Sequence, residues 1–189
     1  MIVILSGVSG AGKDTIKRIL MGKDGRIKTL PSYTTRDKRI NEVEGENYYY
    51  ISKEKFKEMI DNNEFYEYSV HHGNYYGTNK KLLNERIKNN IVLKDIDVNG
   101  TEDLLKIFRG TDIKIISIFL NISKEEMLRR LSNRDDKLKQ EEIELRMNRY
   151  DYEMNHIGIY DYVIKNEDLE KSHDEIANRL QNKSDTEIH

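Results

Sequence analysis

An apolar run, Ile2 to Leu5, leads directly into Gly7-Val8-Ser9-Gly10-Ala11-Gly12-Lys13, and a helical pattern follows from Lys13 to Met21. No other stretch restricts the possible folds as strongly. Strand, glycine-rich turn and helix in this order make a P-loop. Its glycines let successive backbone N–H groups wrap around phosphate oxygens, and the helix N-terminus adds partial positive charge. Gly7, Ser9, Gly10, Ala11 and Gly12 would form the cradle, with Lys13 as a point charge on the outer phosphates. The residue after that lysine is usually Ser or Thr, whose hydroxyl ligates Mg²⁺; here it is Asp14, with Thr15 next. A carboxylate ~6 Å from a terminal phosphate costs roughly 3 kcal/mol at an effective dielectric near 20 unless a cation bridges them. Asp14 therefore binds Mg²⁺ directly or through water, turns away, or weakens nucleotide binding. Carboxylate oxygens suit Mg²⁺, which favours the first.

The rest of the chain reads as further βαβ units. Apolar, strand-like runs at Ile91 to Asp97, Ile113 to Leu120 and Tyr162 to Lys165 have the doubly covered character of parallel strands. Helical patterns at Thr101 to Phe108, Lys124 to Leu131, Glu142 to Met154 and Leu169 to Leu180 alternate with them. Residues 32–78 break the pattern: they are rich in Tyr, with short strand-like pieces at Tyr48 to Ile51 and Phe65 to Val70 and a helix at Lys53 to Ile60. They read as an antiparallel insertion. A polar stretch at about 134–140 reads as a mobile flap. The expected organisation is thus a core from 1–31 and 79–189 with a lid at about 134–140, interrupted by the insertion at 32–78. Its 189 residues suit one such domain.

Composition removes several function classes. With 32 basic against 34 acidic residues the net charge is −2, unlike a protein built around non-specific nucleic-acid binding. No apolar run approaches ~18 residues, so no membrane span is expected. The opening residues are too short for a signal peptide and lack a basic leader. With no Cys there is no disulfide, thiolate metal site or cysteine nucleophile. The expected compartment is the cytoplasm. His71, His72 and His156 have no zinc-site spacing and read as surface or packing residues. Asp95 and Asp97 stand at the end of an apolar strand, where open α/β sheets place ligands, and alternation puts both on one face, suited to Mg²⁺.

The substrate class comes from a resemblance. Ser32-Tyr33-Thr34-Thr35-Arg36-Asp37-Lys38-Arg39, Gly45-Glu46-Asn47-Tyr48, Asn63-Glu64-Phe65-Tyr66-Glu67-Tyr68, His72-Gly73-Asn74-Tyr75-Tyr76-Gly77-Thr78 and Asp95-Ile96-Asp97 resemble the guanylate kinase family in order and spacing. The resemblance implies an α/β fold of P-loop NTPase type: a parallel sheet with flanking helices, an α+β acceptor-binding insertion for GMP, and a small lid. It implies Mg²⁺-dependent transfer of a phosphoryl group from ATP to GMP or dGMP. Arg36, Arg39, Tyr48 and Tyr76 would hold the GMP phosphate, which arginine forks and phenolic hydroxyls suit. Glu67 would read the guanine N1–H and 2-amino donors, with Ser32, Gly77 and Thr78 completing the pocket and Asp97 near the acceptor. Arg134 and Arg146 match positions that reach the ATP phosphates, with Arg129, Arg130 and Arg149 as nearby competitors. Asn166 matches a position near adenine, although a strand-end turn is an equal reading.

The resemblance also implies free nucleotides as partners, with no nucleic acid and no membrane, in a monomer or a homodimer. Two departures accompany it: Asp14, and Asp135-Asp136 where the family has Gly. Two other readings share the motifs: a ribose 1,5-bisphosphate phosphokinase, which carries a Gly-Lys-Asp loop, and a non-catalytic guanylate kinase-like binding domain.

Overall fold

The computed structural model describes residues 1–40, 42–71, 73–133 and 140–185. In chain order the elements are β1 (Ile2–Gly7), α1 (Lys13–Lys23), β2 (Ile27–Thr29), β3 (Ser32–Thr34), β4 (Tyr48–Tyr50), α2 (Lys53–Asp61), β5 (Phe65–His71), β6 (Asn74–Asn79) and α3 (Lys80–Arg86). Then follow β7 (Ile91–Asp95), α4 (Val98–Phe108), β8 (Ile115–Asn121), α5 (Lys124–Ser132), α6 (Gln140–Asn155), a 3-10 turn (Ile157–Ile159), β9 (Tyr162–Lys165) and α7 (Leu169–Asp185). One sheet has the order β2-β7-β1-β8-β9, with β2–β7 and β8–β9 parallel. A second has the order β4-β3-β6-β5. The expected α/β class with a parallel sheet and flanking helices is the fold observed.

By contact the chain forms two compact units: Met1–Ile4 with Gly25–Ile115, and Leu5–Asp24 with the chain from Ile116 onward. In the first unit, Ile2, Ile4, Leu30, Leu83, Val92, Leu104 and Phe108 bury one apolar cluster. Phe56, Met59 and Phe65 make a smaller one under the second sheet, with the Phe56 and Phe65 rings stacked at 4.5 Å. Each such ring contributes roughly 1.5–3 kcal/mol by burial. In the second unit, Leu5, Ile16, Leu20, Ile116, Ile118, Phe119, Leu120, Met127 and Ile164 are buried. All six residues of β1 are buried, as a strand covered on both faces requires.

Three expectations are corrected. The strand expected to reach Asp97 stops at Asp95, and Asp97 is the N-cap of α4, its carboxylate accepting from the Gly100 N–H at 2.9 Å. A capping Asp satisfies an otherwise orphaned helix donor, so α4 begins three residues earlier than periodicity suggested. Asp95 and Asp97 therefore do not alternate along one strand. The insertion is not purely antiparallel: β3 pairs with β6 antiparallel but with β4 parallel. The three-residue strands β2 and β3 and the polar β6 were too short or too hydrophilic to stand out. Most of the expected lid lies outside the described residues. No helix among the described residues is long and apolar enough to cross a membrane.

Candidate active site

The phosphate loop belongs to the second unit. β1 ends at Gly7, whose φ is 145°, and a Cβ there would fall 2.3 Å from the Leu120 carbonyl oxygen. Only glycine allows the chain to leave the strand so close to β8. The Val8 N–H then donates to Leu120 O at 3.3 Å, and the Ala11 N–H folds back onto Val8 O at 3.1 Å. α1 follows Gly12 without any side-chain cap, which leaves its first N–H groups suited to an anion. Lys13 Nζ donates to Gly7 O at 2.8 Å and Val8 O at 3.4 Å, so its ammonium is held against the loop.

Side chains distant in sequence brace this loop. Arg146 donates to Ser9 Oγ at 2.7 Å. Arg130 donates to Gly10 O at 3.2 Å and Asn166 O at 3.0 Å, and is itself held by Glu126 at 2.6 Å. Asn166 is fully buried, and its amide donates to Ala11 O at 2.6 Å; here the side chain ties β9 to the loop. Thr15 is half-buried in the first turn of α1. Asp14 is 85% exposed and pairs with Lys17 at 2.7 Å, turned along the surface of α1. Arg134 lies outside the described residues. Of the competing arginines, Arg129 pairs with Glu126 and Arg149 with Glu153.

The expected acceptor residues belong to the first unit. Arg36 Nη2 meets Glu42 Oε1 at 2.7 Å, and its guanidinium lies 5.3 Å from the Tyr48 ring centroid and 5.9 Å from that of Tyr50. Glu42 also accepts from Tyr50 Oη at 2.8 Å and from the Arg39 backbone N–H at 2.9 Å. Burial works to raise the Glu42 carboxyl, but these three donors outweigh it and hold it down at about 2. Burial likewise works against the Arg36 charge, and the Glu42 hydrogen bond more than offsets it. The Arg39 side chain is exposed. The Tyr48 and Tyr76 rings meet edge-on at 5.9 Å.

Glu67 and Thr78 face each other across β5 and β6, and the threonine hydroxyl donates to the carboxylate. Glu67 is only 7% exposed. Burial first, then the nearby Asp97 and Asp103 charges, push its carboxyl above the usual range, while Lys94 and the Thr78 hydrogen bond pull the other way. Gly77 is buried in β6, where a Cβ would sit 2.9 Å from the Phe56 and Phe65 rings. Its visible role is to let the strand pass over those rings. Asp97 uses Oδ1 on the Gly100 N–H, and its Oδ2 lies 2.8 Å from His71 Nε2. Asp95 is half-buried at the end of β7.

Several of these partners escaped the sequence reading. Glu42 stands beside the matched motifs without a signal of its own. His71, expected to be a surface or packing residue, sits on Asp97; His72 lies outside the described residues. Lys94 could have been noticed as a charge inside an apolar run, and it is fully buried.

A parallel sheet whose first strand opens into a glycine loop, with a lysine at the head of the next helix, defines a P-loop nucleotide-binding fold, that of NTPases and kinases. The guanylate kinase family model matches residues 1–183. A guanylate kinase of Bartonella henselae is 43% identical over 174 residues, covering 89% of this chain and 75% of the relative. One of Prochlorococcus marinus is 40% identical over 181 residues, covering 95% and 94%. The crystal structure of guanylate kinase from Anaplasma phagocytophilum superposes with a TM-score of 0.75 at 31% identity, covering 97% of this chain and 85% of that one. The chain belongs to the guanylate kinase family, and its class is that of the nucleoside monophosphate kinases.

Proposed function

We propose that this protein transfers the γ-phosphoryl group of ATP to GMP or dGMP, giving ADP and GDP. The observation that carries the acceptor is Glu67, a buried carboxylate braced by Thr78 and adjacent in charge to Asp97. Guanine offers N1–H and a 2-amino group as donors, so its reader must accept. The buried carboxylate of Glu67 is an acceptor of that kind. A site that pairs buried polar groups with the base rejects an analogue lacking them by ~10⁴-fold, because its own groups would stay unpaired. In this reading residues 32–78 bind GMP, residues 1–31 and 79–189 form the core, and a segment at about 134–140 acts as the lid.

The acceptor phosphate would meet Arg36, Arg39, Tyr48 and Tyr76. Glu42 keeps Arg36 in one orientation, so less side-chain freedom is lost when the dianion arrives. The attacking oxygen of GMP is already anionic, so no strong general base is needed. What remains is positioning and charge neutralisation. The loop N–H groups, Lys13 and Arg146 supply these on the donor side, with Arg134 as a further contributor.

Mg²⁺ typically keeps several waters and takes one or two carboxylates besides phosphate oxygens. Asp95 suits that role in donor type, whereas Asp14 is exposed and paired with Lys17. Asp97 has both oxygens engaged, by the Gly100 N–H and by His71, which counts against it as a further Mg²⁺ ligand. Bound Mg²⁺ would neutralise charge building between the β- and γ-phosphates. The reading keeps free nucleotides as partners, without nucleic acid or membrane, a cytoplasmic site of action, and a monomer or homodimer.

The test is ADP release from Mg·ATP with GMP, dGMP, AMP, CMP, UMP and ribose 1,5-bisphosphate. Turnover confined to the guanine nucleotides is expected. Turnover of the sugar bisphosphate alone would overturn the acceptor assignment.

A further inference from the structure

We propose that Lys94 is a positioning residue of the guanine pocket: its buried ammonium fixes the Ser32 hydroxyl as a donor toward the base. The inference rests on the guanylate kinase reading of Ser32 and Glu67, and it adds a residue that no motif match singled out.

Lys94 lies in β7 on the same face as Val92, since side chains two apart share a face. Val92 packs in the apolar cluster with Ile2, Ile4, Leu30 and Leu104. Lys94 is 0% exposed. A fully buried lysine is rare, because an ammonium withdrawn from water without partners loses several kcal/mol or its proton. Packing alone does not call for the charge. An unbranched apolar side chain of similar length would fill the same space without that desolvation.

What the fold places around the ammonium explains it. Lys94 Nζ donates to Ser32 Oγ at 2.5 Å and to Leu30 O at 3.3 Å. Its charge also acts on Glu67, against the effects of burial, Asp97 and Asp103.

The chemical consequence lies in the direction of one hydrogen bond. An ammonium has donors and no acceptor, so Ser32 Oγ must accept from it and its own proton points elsewhere. Ser32 is half-buried at the start of β3. A hydroxyl with that polarity donates to a ligand carbonyl, which guanine carries at C6. Adenine presents an amino group there, and two donors would meet. Glu67 supplies the complementary acceptor for N1–H and the 2-amino group. Lys94 thus sets the donor half of that pattern from a buried position.

Lys94→Met keeps the length and removes the charge. Its KM for GMP is expected to rise about tenfold, as loss of a charged hydrogen-bonding partner implies, with kcat and the KM for ATP within about twofold. Preference for GMP over AMP is expected to fall. In a Ser32→Ala background the same substitution should cost at most about a third as much, because the two side chains act together. A purely structural tie between β7 and β3 would instead lower the melting temperature and leave the KM for GMP at its wild-type value, and that result overturns the proposal. Equal effects in both backgrounds would likewise overturn it. If Lys94→Met does not fold, Lys94→Gln carries the same test, with a donor retained and the charge lost. Wild-type protein inactive on GMP would sink the underlying reading; activity on GMP with an unchanged KM in the variant would sink only Lys94.

Discussion

The phosphate loop and the proposed acceptor region are built from different materials. The loop is mainly backbone: a left-handed Gly7, an uncapped α1, and N–H groups in sequence order, with side chains bracing it from outside. The proposed acceptor region is mainly side chains, arranged as pairs: Arg36 with Glu42, Glu67 with Thr78, Lys94 with Ser32, and His71 with Asp97. A backbone cradle suits any polyphosphate, because every nucleoside triphosphate presents the same oxygens. Telling one base from another takes donors and acceptors at fixed places, and buried pairs provide them. Donor affinity and acceptor selectivity should therefore fail separately.

The largest separation is expected from Lys13→Ala. Losing the point charge should lower kcat by at least ~10³-fold, while GMP binding by calorimetry stays within about twofold. Loss of GMP binding as well would break the division. Glu67→Gln should do the reverse, lowering kcat/KM for GMP by ~10²-fold, mostly through KM, with ATP binding intact. A variant that still prefers GMP over AMP as strongly as wild type would show that the base is read elsewhere.

Gly7→Ala tests the backbone half directly. A methyl group there collides with the Leu120 carbonyl, and about 2 kcal/mol of stability should be lost. An unchanged denaturation midpoint would mean the loop relaxes more easily than its geometry implies.

The smallest effect concerns Glu42, whose carboxyl is held at about 2 in the folded chain against about 4.3 when unfolded. A depressed carboxylate stabilises the fold above its unfolded value, and that contribution fades as pH falls from about 4.5 through about 2. Glu42→Gln should be roughly 1–2 kcal/mol less stable than wild type near neutral pH, and the gap should close in acid. Urea denaturation at pH 7 and pH 3 measures it; a gap independent of pH would assign Glu42 to packing instead of charge.

Much of the fold was legible because its signals are local. The apolar run before the loop became β1, and the patterns near Lys53, Lys124 and Leu169 became α2, α5 and α7 at the expected starts. Ser52 and Ser123 cap the first two of those helices through their own side chains. Asp97 went the other way. An acidic residue closing an apolar run reads as the end of a strand, and its cap is visible only once the Gly100 N–H turns back toward it.

The site divides in the same manner. The loop residues, and Arg36, Arg39 and Glu67 of the proposed acceptor site, stand out along the chain. The braces from Arg130, Arg146 and Asn166 to the loop could not, nor could Lys94 beneath Ser32.

Sequence by itself determined where a phosphate could be held, since glycine φ angles and a helix start are set by neighbouring residues. It also determined which polar residue types stand ready for a base. Tertiary structure decided which of those residues carry a fixed charge or a fixed donor direction. A buried ionisable group is set by desolvation and by partners brought in from distant strands, and no local pattern encodes either.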